Sequence, residues 1–110
     1  MTWQGSKSAI EAILATLPAD QQFHYPIRHG TMRVGLYAPK GTDDQSPHDQ
    51  DEIYIIASGN GWFVKGSDRI AFAPNDVLFV EAGIAHRFED FSDDFSTWVI
   101  FWGPTGGELA

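Results

Sequence analysis

From about residue 23 onward the sequence is broken into short apolar or alternating runs, separated by Gly, Pro, Asn and Asp. That texture constrains the fold more than any other feature, because short runs between turn residues make strands and leave no room for crossover helices. Thr31–Ala38 is one run, ended by Pro39, Lys40 and Gly41; Glu52–Ala57 is another, rich in Ile and Tyr. Ser58, Gly59, Asn60 and Gly61 read as a hairpin turn, with Trp62–Lys65 as the returning strand. Arg69–Phe72, Val77–Val80, His86–Phe88 and Ser96–Trp102 complete the set. The pattern predicts an all-β, antiparallel sandwich or barrel over residues 23–103.

Before it, Ser8 and Glu11 have capping-box spacing, and Ile10, Ile13, Leu14 and Leu17 recur on one helical face until Pro18. This predicts a short helix over about 8–17, packed on the outside of the main body or on a partner. The residues after Trp102, rich in glycine, read as a loose tail. With 110 residues, one domain spanning 1–110 is expected.

Composition narrows function by exclusion. The formal net charge is −8, which disfavours both nucleic acid and anionic membrane surfaces as partners. There is no cysteine, so a metal here would take nitrogen and oxygen ligands. No apolar run approaches a membrane span, and no signal-peptide pattern opens the chain, so a cytoplasmic protein is expected.

Two stretches carry the candidate chemistry. In the first, running from Ser46 to Glu52, a tight turn through Asp49, Gln50 and Asp51 would bring His48 and Glu52 onto adjacent strands. In the second, Pro74 to Phe88, His86 opens a strand and shares a face with Phe88. Tyr54 shares parity with Glu52, so both point inward if either does. His24 and His29 lie ahead of the barrel signals and read as surface or loop residues; the acidic pairs Asp43–Asp44 and Asp93–Asp94 read as solvated turns.

Together these stretches resemble the two motifs of the cupin superfamily. Gly41, His48, Glu52 and Gly59 stand at the glycine, second histidine, glutamate and final glycine of the first motif. Asn75, Glu81, Gly83, His86 and Asp90 stand at the glycine, proline, glycine, histidine and asparagine of the second. Ser46 occupies the place of the first histidine, which removes one of four usual ligands. The resemblance implies a jelly-roll barrel, or double-stranded β-helix, of the small single-domain, cupin-2 type. It also implies one divalent metal ion (Fe, Mn, Ni or Zn) on His48, Glu52 and His86, with Gln45 or Ser46 as a weak additional ligand. Tyr54, Phe88 and Arg33 would shape the pocket for a small molecule. Dioxygenase- or isomerase-like chemistry fits that picture. So do a non-catalytic sensor or binding protein and a metal-free scaffold with a decayed site. The last strand is apolar on both faces, with Trp98, Ile100 and Trp102 on one and Thr97, Val99 and Phe101 on the other. Its outer side therefore needs cover, and a homodimer is expected.

Overall fold

The computed structural model describes residues 4–109. It contains one helix, α1 (Lys7–Leu14), and eight strands: β1 (Phe23–His29), β2 (Met32–Tyr37), β3 (Asp51–Ser58), β4 (Gly61–Lys65), β5 (Asp68–Phe72), β6 (Val77–Val80), β7 (His86–Glu89) and β8 (Ser96–Trp102). They form a five-stranded sheet in the order β1-β2-β8-β3-β6 and a three-stranded sheet in the order β5-β4-β7. Every pairing is antiparallel. The inward faces share one core. Tyr54, Ile56, Leu78, Val80, Val99 and Phe101 from the larger sheet meet Phe63, Phe72 and Phe88 from the smaller, with Phe95 between them. The all-β, jelly-roll-type architecture with a short N-terminal helix is as expected.

Four local expectations are corrected. First, β1 is a strand, so His24 and His29 are strand residues and not loop residues. Pro26 obscures it in the sequence; proline is tolerated because β1 is the edge of its sheet and its pairing is irregular between His24 and Ile27. Opposite that irregularity lies Gly35, where a Cβ would stand 2.1 Å from the His24 carbonyl oxygen, so the two backbones approach too closely for any side chain.

Second, β3 and β4 are not a hairpin but belong to different sheets. The glycines at that corner allow the 91–95 segment to pass against it. A Cβ on Gly59 (φ +83°) would meet Phe95 Cα at 2.6 Å, and one on Gly61 would meet Phe91 Cα at 2.7 Å. The tight hairpin is instead β4–β5, closed at Gly66 with Lys65 opposite Asp68.

Third, α1 starts and ends earlier than 8–17. Ser6, not Ser8, is the cap, with its Oγ accepting from the Ala9 amide. Ile10 and Leu14 pack on the outer face of the larger sheet against Leu36 and Ala38, with Leu17, Ala57 and Trp98 alongside, whereas Ile13 is exposed.

Fourth, the C-terminal segment is a strap and not a loose tail. The Gly106 amide donates to the Asp49 carbonyl at 2.7 Å, and the Glu108 amide donates to Asp51 Oδ2 at 2.8 Å. The other Asp51 oxygen accepts from the Ala82 amide at 3.0 Å. These two backbone bonds, Glu108 first, hold the Asp51 carboxyl below the ordinary aspartate range.

Candidate metal centre

Glu52 and Tyr54 reach the interior from β3 by two-residue alternation, and His86 does so from the first position of β7. His48 lies in the irregular segment 38–50 and not on a strand facing Glu52 as the sequence suggested. It is held nonetheless, because its carbonyl accepts from the Gly83 amide at 2.7 Å, which ties it to the turn before His86. Its ring packs on Phe101 with centroids 4.9 Å apart. The turn residues at the second-motif positions behave as required: Asn75 (φ 74°), Gly83 (φ 81°) and Asp90 (φ 48°) are all left-handed.

The three residues converge. Ligand-capable atoms of His48, Glu52 and His86 all lie within 4.8 Å of one another. Nε2 of His86 is 3.1 Å from Glu52 Oε1, and Nε2 of His48 is 4.0 Å from it. Donor atoms about 2.1 Å from a common ion lie roughly 3 Å apart at right angles and roughly 4.2 Å apart across it. The two separations from Glu52 Oε1, 3.1 and 4.0 Å, fall in that range.

A count of protons gives a second test of fit. Nδ1 of His86 lies 2.8 Å from the Ile84 carbonyl oxygen, which can only accept. Nδ1 therefore carries the ring proton, and Nε2 of the neutral ring presents a lone pair. Glu52 is 1% exposed, and its Oε1 has no hydrogen-bond partner. Two acceptors thus face each other with no proton between them. A proton shared between the two groups, or a cation in the gap, would satisfy both. Burial pushes His86 down, but the Glu52 carboxylate and the Ile84 carbonyl outweigh it, and the net direction is up. Burial lowers His48, against the opposing pull of Glu52.

Two further side chains complete the cluster. The Tyr54 hydroxyl lies 3.0 Å from His86 Nε2 and 3.1 Å from Gln45 Oε1, two acceptors within reach of its one proton. Burial, with Glu52 nearby, pushes this hydroxyl well up. Gln45 Oε1 is also 2.9 Å from His48 Nε2. Ser46 is exposed. Tyr54, Gln45 and Glu52 line a cavity of about 400 Å³ together with Tyr25, Tyr37 and Val99. Phe88 lies beneath Tyr54, 4.9 Å between centroids, and belongs to the core. Arg33 lies beyond the cavity lining, with its guanidinium 4.5 Å over the Phe101 ring and bonded to Gln50 Oε1 at 3.2 Å.

Sequence reasoning missed Asp43. It is buried, not a solvated turn residue, while Asp44 is exposed. Its carboxylate accepts from Tyr37 Oη (2.6 Å), Gln45 Nε2 (2.6 Å) and the Phe88 amide (2.8 Å). The one local signal is its spacing to Gln45, whose amide it also accepts at 3.3 Å, an Asx-type contact two residues on.

No family model matches the chain. It is 40% identical over 80 residues, 71% of this chain and 76% of the relative, to an uncharacterized protein of Streptomyces coelicolor. Among solved structures, a cupin 2 conserved barrel domain protein from Salinispora arenicola superposes with a TM-score of 0.64 at 20% identity, covering 94% of this chain and 89% of that one. A cupin superfamily protein from Desulfitobacterium hafniense gives 0.58 at 20% identity, covering 72% and 73%. The chain belongs to one family with the Streptomyces coelicolor protein, and its fold is that of the cupin structures.

Proposed function

We propose that the protein binds one divalent metal ion through His48 Nε2, His86 Nε2 and Glu52 Oε1 and uses it to hold or transform a small molecule in the adjoining cavity. The observation that carries this reading is the unpartnered Oε1 of Glu52, buried 3.1 Å from an imidazole nitrogen that faces it with a lone pair. A bound ion would supply a Lewis acid beside the cavity. The chain's own groups have definable tasks. The Ile84 carbonyl fixes the His86 ring in the tautomer that leaves Nε2 free. Phe101 packs against His48 and limits its rotation. Tyr54, held between His86 and Gln45, can pass or accept a proton at its hydroxyl oxygen. Fe, Mn, Ni and Zn all suit two imidazoles and a carboxylate, and isomerase-like or dioxygenase-like chemistry fits such a centre.

The test is elemental analysis of protein purified without added metal, followed by calorimetric titration with Mn(II) and Zn(II). One ion per chain is expected, lost in His86→Ala and in His48→Ala with the fold retained by circular dichroism. Absence of uptake, or unchanged stoichiometry in both variants, would reject the assignment.

The protein is also proposed to form a homodimer. Ile53, Ile55, Ile100 and Trp102 are half-buried on the outer face of the larger sheet, away from the area that α1 covers, and Val77 and Phe79 are 63% and 46% exposed beside them. A second copy would cover this apolar area. Sedimentation equilibrium should give twice the monomer mass, and Ile100→Glu should return the monomer; a monomeric wild type would reject it. Among the described residues no helix is long and apolar enough to cross a membrane.

A further inference from the structure

The place of one expected imidazole is taken by Ser46, which is exposed. A different side chain reaches the centre instead. Gln45 Oε1 lies 2.9 Å from His48 Nε2, the separation of two neighbouring donors on one ion. Which end of the Gln45 amide faces inward is not free. Its Nε2 lies 2.6 Å from Asp43 Oδ2, and a carboxylate only accepts, so the NH₂ group faces Asp43 and the oxygen faces His48. Asp43 is itself held by the Tyr37 hydroxyl and the Phe88 amide, one position on each sheet. The amide is thus oriented by a carboxylate that is anchored on both walls.

The geometry points to Gln45 Oε1 as a fourth ligand of the metal centre, with Asp43 as the positioning residue that aims it. This rests on the reading of His48, Glu52 and His86 as metal ligands. Without an ion, His48 Nε2–H donates to Gln45 Oε1. With one, the His48 proton moves to Nδ1 and both atoms turn lone pairs to the same point. The resulting set has two imidazole nitrogens, one carboxylate oxygen and one neutral amide oxygen. Exchanging an imidazole for a carbonyl shifts the preference toward harder ions such as Mn(II) and Fe(II), within the general order of affinities. The Asp43–Gln45 pair is therefore a determinant of which metal the protein holds.

The probe is Co(II), whose visible absorption reports coordination number, titrated into the full chain, with Mn(II) in parallel. Gln45→Ala should weaken Co(II) and Mn(II) binding by roughly tenfold or more and change the Co(II) spectrum. Gln45→Glu keeps an oxygen at the same reach but sets a second carboxylate against Asp43, so it should recover only part of the affinity that Gln45→Ala loses. Asp43→Asn should act in the direction of Gln45→Ala, because its amide no longer dictates the orientation of Gln45. Its folded fraction is checked by urea titration, and Gln45→Ala carries the test if Asp43→Asn does not fold. If Gln45→Ala binds both ions as the wild type does, with the same spectrum, Gln45 is no ligand and the three-ligand centre stands alone. If the wild type takes up neither ion, the metal reading itself fails and this inference fails with it.

Discussion

Replacing Glu52 by glutamine should make the metal-free protein more stable while destroying its capacity to hold an ion. Glu52 is 1% exposed, and Oε1 lacks a donor. An unmet neutral buried acceptor costs about 1–3 kcal/mol, and a charged one costs more. Glutamine at this position offers an NH₂ group to His86 Nε2, 3.1 Å from the present Oε1, and a hydrogen bond there contributes about 0.5–1.5 kcal/mol. The exchange should raise stability by about 2 kcal/mol, or roughly 6–10 °C in Tm for a chain of this size. The assay is guanidinium and thermal unfolding of metal-free wild type and Glu52→Gln at pH about 9, well above the ordinary imidazole range. Repeating it at an ion concentration of 100 times Kd should stabilise the wild type by about 2.7 kcal/mol and leave the variant unmoved. A metal-free variant less stable than the wild type would refute the reasoning, since Glu52 would then serve the fold and not the site.

Other sites give independent checks. Asp43→Ala leaves the Phe88 amide, the Tyr37 hydroxyl and the Gln45 amide without their shared acceptor, and should cost about 3–5 kcal/mol in urea unfolding. Gly35→Ala drives a Cβ into the His24 carbonyl and should cost about 3 kcal/mol or more by the same measurement, because the obstructing atoms are backbone. Asp51→Asn sets an NH₂ group against one of the two amides that the carboxylate now accepts, Ala82 or Glu108. The strap should loosen, read as faster proteolytic cleavage after Pro104 with the core melting transition retained.

The strands of the core were legible because period-two alternation and turn residues are local properties. Val77–Val80 and Ser96–Trp102 have the bounds expected from the sequence. β1 was hidden because Pro26 argues against a strand unless its edge position is known, and edge position is a property of the whole sheet. The β3–β4 corner was misread as a hairpin because Gly59 and Gly61 carry the same residue signature whether they close a tight turn or let the 91–95 segment pass. At the centre, the motif positions found His48, Glu52 and His86. The role of Asp43 is not readable locally, since Phe88, whose amide it accepts, lies 45 residues away on β7, in the other sheet from Tyr37. In the sequence Gln45 stands out only as a neighbour of the missing histidine; its orientation depends on Asp43.

The central claim is that two imidazoles and one carboxylate share an ion. Crystals grown with Mn(II) and measured above the manganese absorption edge test it directly. One anomalous peak per chain is expected, within bonding reach of His48 Nε2, His86 Nε2 and Glu52 Oε1 together. A map with no peak there, or with its peak on a surface acidic pair such as Asp93 and Asp94, would contradict it.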